Sequence, residues 1–187
     1  EGTNERDDQY GGTLENRTRF GVEIVKAIRA AVGDDFTIIF RFSQWKQQDY
    51  SAKLCQTPAE LATFLGLLSD AGVDIFHAST RRFWVPEFEG SDLNLAGWTK
   101  KLTNKPVITV GNVGLDADFI GEGNADLSGT SNPTGIDELL VRLNNNEFDL
   151  VAVGRALLVD PQWVNKIKHK AIADIKPFNK KSLTSLS

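Results

Sequence analysis

Methionine is absent from the 187 residues, cysteine occurs once and histidine twice. Each scarcity excludes something. A lone Cys55 cannot form an internal disulfide, so a reducing, cytoplasmic setting is expected. The two histidines, His77 and His169, lie far apart and do not suggest a metal site. No apolar run approaches the ~20 residues that a membrane span requires, and no membrane association is expected. Basic residues are also in deficit, 21 Lys and Arg against 25 Asp and Glu, for a formal net charge of −4. Nucleic acid, which asks for a basic face, is therefore not an expected partner. The opening stretch EGTNERDDQY is polar and acidic, unlike a signal peptide. With no initiator methionine, Glu1 is not expected to be a natural start; either the chain was cut or residues precede it.

What is present is ordinary for a globular α/β protein: 41% hydrophobic and 25% charged residues at single-domain length. Residues 1–13 read as a loop. Thr13 then caps a helix whose apolar residues Phe20, Ile24, Ala27, Ile28, Ala31 and Val32 follow the helical period, and Gly33 stops it. Thr57-Pro58-Ala59-Glu60 is a capping box with proline at the first helical position, opening a helix that ends near Gly72. Residues 36–42, 73–79, 106–110 and 149–153 read as four short buried strands. Further helices are expected around 98–102, over 135–145 and from Pro161 to about 170. The long aromatic stretch 80–98 reads as a functional or partly structured loop, 121–133 as a Gly/Asn/Ser-rich loop, and 174–187 as a polar, extended tail. Strands alternating with helices predict βαβ units and a parallel sheet.

Parallel α/β proteins bind ligands at the carboxyl ends of their strands. The third strand runs into Gly111-Asn112-Val113-Gly114 and the fourth into Gly154-Arg155. Glycines let backbone N–H groups approach an anion, and arginine grips phosphate with a two-pronged fork. The same glycines also suit plain turns, and Arg155 would equally suit a rim salt bridge. Their shared position in the last two βα loops points to a phosphate site. Arg41 lies inside the apolar run IIFRFS and must find a carboxylate, a carbonyl array or an electron-rich ligand. His77 reads as a core or rim histidine rather than a catalyst. His169 and the charged run 5–8 read as solvated, and Cys55 as an unactivated loop thiol.

The segment TNERDDQYGGTLENRTRF (3–20) resembles a motif of the Old Yellow Enzyme family, through Asn4, Arg6, Asp8, Tyr10, Gly11, Gly12, Glu15, Asn16, Arg17, Arg19 and Phe20. GRALLVDPQW (154–163) resembles that family's ending after its eighth barrel strand, and RFS and GNVG fall at its fifth and seventh strand ends. The resemblance covers essentially the whole chain. It implies the C-terminal half of a (β/α)8 TIM barrel, about four βα units holding strands five to eight, as one partial domain over 1–187. It implies FMN as cofactor, NAD(P)H as reductant and an activated alkene as substrate. Arg41 would meet the flavin N1/O2 edge, while Gly111, Asn112, Gly154 and Arg155 would hold the FMN phosphate. Trp45 and residues 81–88 would border the active-site mouth. The family's substrate-binding histidine pair and proton-donating tyrosine fall upstream of the Tyr-Gly-Gly motif, and His77, His169, Tyr10 and Tyr50 do not match them. No catalytic residue is therefore expected within this chain. Alternative readings are a non-catalytic phosphate-binding fragment, a half-barrel that self-associates or pairs with the missing N-terminal half, and another phosphate-binding TIM barrel.

Overall fold

Thr13 opens the first helix as its sequence suggests: Oγ1 accepts the Asn16 N–H at 3.3 Å, and α1 runs Leu14–Val32. Gly33 closes it at φ 78°, a conformation that favours glycine. The computed structural model describes residues 3–46, 49–116 and 134–183. The expected loop at 121–133 lies outside them. In chain order follow β1 (Ile39–Phe42), α2 (Pro58–Ala71), β2 (Ile75–Ser79), α3 (Leu95–Thr103), β3 (Val107–Val110), α4 (Ile136–Asn144), β4 (Leu150–Val151), α5 (Arg155–Val159) and α6 (Trp163–Lys168). The four strands form one sheet, ordered β1-β2-β3-β4 and parallel throughout. A sequential, all-parallel order with helices between the strands is what half of a (β/α)8 barrel requires.

Strand alternation decides which side chains meet the helices. Phe42 packs on Phe64 of α2 at 5.5 Å between ring centroids and on Phe76 at 6.2 Å. Phe76, Ala78 and Val107 are wholly buried with them. The opposite face carries Ile39 and Arg41, then His77 and Ser79, then Ile108 and Val110. Arg41, His77, Ile108 and Leu150 stand in one row by register. In a closed barrel that face is the interior. Here Ile39 is 52% and Leu150 51% exposed.

Several expectations need correcting. Phe20, Ile24, Ile28 and Val32, which mark the helical period of α1, are exposed. The helix instead buries Thr18 and Val25, and sets Gly21 over Phe40 and Leu68. Arg41 is exposed rather than buried, because it takes the odd-numbered face of a strand whose even-numbered face meets α2. A short helix, α5, begins directly after Gly154, and its five residues leave too few turns to show a period. The 80–94 stretch is packed, in line with a partly structured loop: Phe83 and Asn94 are wholly buried, and Asn94 Nδ2 donates to the Phe83 carbonyl at 2.6 Å. The tail is extended at Ile175 but docked at its start, not frayed. Ile175 and Phe178 dock as buried residues, and the Lys176 N–H donates to Asp160 Oδ2 at 3.0 Å. Among the described residues no helix is long and apolar enough to cross a membrane.

Candidate functional site

At the carboxyl edge of the sheet, β3 turns sharply through Gly111 (φ 149°), Asn112 (φ 45°) and Gly114 (φ 72°). A Cβ on Gly111 would stand 2.5 Å from Thr80 Oγ1 and 2.7 Å from the Thr80 carbonyl oxygen. One on Gly114 would stand 2.9 Å from the Trp163 ring. Both glycines are therefore required by protein packing. Gly154, at the end of β4, differs: a Cβ there meets nothing within 4 Å, so the space above it is open.

The two strand ends are joined. Arg155 Nη2 donates to Asn112 Oδ1, so the cation that follows β4 reaches the turn that follows β3. Behind it, the Phe178 ring centroid lies 5.4 Å from the guanidinium carbon. That backing ring was not singled out in the sequence. A phenylalanine in a polar tail, separated from the motif by two other elements, carries no local signal. The chemistry of the set is that of an anion site: a fixed cation, an amide and glycine-lined backbone beside an open space. The donors suit a phosphate, and the opening at Gly154 leaves room for one.

Arg41, on the edge strand β1, lies at the same end of the sheet. Its Nη1 lies 2.9 Å from His77 Nε2 and 3.4 Å from Nδ1, and Nη2 donates to Ser79 Oγ at 3.0 Å. Among the described residues the cation's partners are thus an imidazole and a hydroxyl, not the carboxylate of a rim salt bridge. Burial, and secondarily the Arg41 charge, hold the His77 imidazole below its ordinary pKa.

Trp45, Tyr50, Lys53, Arg81 and Glu87 line a neighbouring cleft of about 260 Å³, which brings Trp45 and the 81–88 stretch together. The Arg81 guanidinium lies 3.7 Å over the Tyr50 ring, and Lys53 pairs with Glu87 at 3.0 Å. His169 is exposed. Cys55 is fully buried, and burial pushes its thiol up to about 12, so it is inert at neutral pH. Asp160, noticed in sequence only as the residue before Pro161, is 1% exposed. It accepts from Lys166 Nζ at 2.6 Å and from the Gln162 and Lys176 N–H groups, tying the segment after β4 to the tail.

Residues 1–134 match the NADH:flavin oxidoreductase / NADH oxidase family. The chain is 35% identical over 178 residues to an NADH oxidase of Thermoanaerobacter brockii, covering 89% of this chain and 23% of that protein. It is 30% identical over 183 residues to an NADPH dehydrogenase of Clostridium acetobutylicum, covering 95% of this chain and 47% of that protein. The chain thus spans less than half the length of these relatives. Among solved structures, morphinone reductase in complex with tetrahydroNAD superposes with a TM-score of 0.64 at 23% identity, over 91% of this chain and 39% of that one. The old yellow enzyme homologue from Zymomonas mobilis gives 0.63 at 18% identity, over 90% and 41%. At these identities the structures establish the shared fold.

Proposed function

The chain belongs to the NADH:flavin oxidoreductase / NADH oxidase family, and on that premise we propose that the whole protein is an FMN-dependent oxidoreductase reducing activated alkenes with NAD(P)H. Bound FMN would supply the hydride-transfer chemistry; the residues of this chain bind and tune it. Gly154 and Arg155, with Gly111 and Asn112, hold the phosphate. Arg155 contributes a permanent charge that a phosphate dianion matches with two parallel hydrogen bonds. Arg41 faces the N1/O2 edge, where a cation favours the negative charge that reduction brings. The cleft beside Trp45 and Tyr50 borders the mouth. The groups that bind the alkene and give it a proton lie in the part of the protein upstream of this chain.

The observation that carries this reading is the Asn112–Arg155 hydrogen bond, which makes one donor cluster out of two strand ends. FMN titration of the full-length protein tests it. Arg155→Ala removes a charge-assisted contact of about 1.5–3 kcal/mol, so affinity is expected to fall about tenfold to a hundredfold. Unchanged affinity overturns the assignment. The 187 residues alone, supplied with FMN, NADPH and an enone, are expected not to turn over. Steady NADPH oxidation coupled to enone reduction would place the catalytic groups inside this chain after all.

A further inference from the structure

We propose that His77 is a positioning residue for Arg41: its ring, against which Nη1 lies, and the Ser79 hydroxyl, which accepts from Nη2, hold the cation at one point on the inner face of the sheet. The proposal rests on the reading that Arg41 faces the flavin, and it assigns what keeps Arg41 there. Arg41 is an exposed side chain on an edge strand, with many rotamers to lose. Two side chains on the next strand restrain it. His77 is its partner in the parallel register, and Ser79 lies two residues on, on the same face. One guanidinium nitrogen goes to each.

The arrangement demands a neutral ring. An imidazolium would repel the guanidinium that lies against it. The surroundings keep it neutral. From β1 the charged group facing it is Arg41. From β3 the residue in register is Ile108, and in the same row on β4 stands Leu150, both apolar. Burial and Arg41 both depress the ring's pKa, so the contact is intact at neutral pH and is lost as pH falls through the His77 titration. Arg41 then leaves its place, and stabilisation of the reduced flavin weakens with distance.

The test uses the full-length FMN-loaded protein and reads the flavin midpoint potential against pH, with FMN affinity as a control. His77→Leu removes the ring, and its potential at neutral pH is expected to fall by about 30 mV, the two-electron equivalent of a tenfold change. His77→Gln offers the guanidinium an uncharged polar side chain in the ring's place; it should keep the neutral-pH potential and lose the break that wild type shows where His77 titrates. Affinity, set at the phosphate end, should hold in both. The imidazole resonance of His77, assigned by its loss in His77→Gln, should titrate at higher pH in Arg41→Ala. A wild-type potential in His77→Leu, beside a lowered one in Arg41→Ala, overturns the role of His77 alone. An unchanged potential in Arg41→Ala overturns the flavin-facing reading and this proposal with it; a moved His77 titration in that case still marks the pair as real.

Discussion

Gly111 and Gly154 look alike in sequence, each closing a strand, but they answer to different demands. Gly111 sits at φ 149° against Thr80, so Gly111→Ala meets both a strained backbone and a 2.5 Å clash. It is expected to lose about 1–3 kcal/mol of stability, read as a lower urea midpoint. Gly154→Ala meets no neighbour within 4 Å. Its effect is expected on the ligand: FMN affinity in the full-length protein falls because the methyl enters the space kept for the phosphate. Two carboxylates set the acid limit. The Ile38 N–H, and then Arg29, hold Asp74 below the usual carboxylate range. For Asp160, burial pushes upward, but Lys166 and backbone N–H groups outweigh it and the net shift is downward. A depressed native pKa means that the unfolded chain takes up the proton first. The stabilisation is present above the ordinary aspartate value of about 3.9 and is lost as pH falls through the native pKa. Urea midpoints taken from neutral pH to pH ~3 should therefore fall steeply in wild type and less steeply in Asp74→Asn and Asp160→Asn. An equal slope in all three sinks the argument.

At the scale of elements, the parts of the fold legible in the sequence are those with local chemistry. Thr13 and Gly33 mark both ends of α1; Thr57, Pro58 and Gly72 mark those of α2. The strands are legible to within a few residues because each is a short β-favouring run between polar breaks. What sequence could not resolve is which face of an element is covered. Helix α1 carries two apolar faces, and the bulkier one, Phe20-Ile24-Ile28-Val32, is exposed. Periodicity reports that a face is apolar; it does not name the partner. The site divides the same way. Gly111, Asn112, Gly154 and Arg155 stand in local motifs, whereas the Arg41–His77 contact depends on the register between strands 36 residues apart in sequence, and Phe178 reaches Arg155 only through the docked tail. The two faces of α1 and its neighbours differ in a measurable way. Leu65→Ala, at a wholly buried position of α2, should cost about 2–5 kcal/mol. Ile24→Ser should stay within about 0.5 kcal/mol, judged by thermal unfolding of this chain.

For the whole molecule the question is what covers the two ends of the sheet. Among the described residues, β1 and β4 each have one unpaired edge. Apolar side chains lie exposed near both: Phe20, Phe36 and Ile39 at one end, Leu150, Val141 and Val164 at the other. Open edges and apolar patches drive association, and eight strands close a barrel where four cannot. A second copy would supply four strands, but it would also supply helices at both ends. Helix α1 precedes β1, and α5 and α6 follow β4. Joining β4 of one copy to β1 of another therefore brings α6 and the neighbouring α1 to the same seam, so self-pairing cannot close as a barrel does. A partner that begins and ends on strands, four strands with three helices between them, closes both seams without that collision. The upstream half of the full-length protein is expected to have this form. Light scattering at micromolar concentration should thus give the isolated chain a mass above its 20.6 kDa, without one defined oligomer. Adding the separately produced upstream half should convert it to a single one-to-one complex. Phe20→Ser with Ile24→Ser should lower the self-association while leaving unfolding unchanged. A clean monomer of the wild-type chain would show that the exposed edges do not drive assembly, and a discrete, stable dimer that persists beside the upstream half would overturn the seam argument.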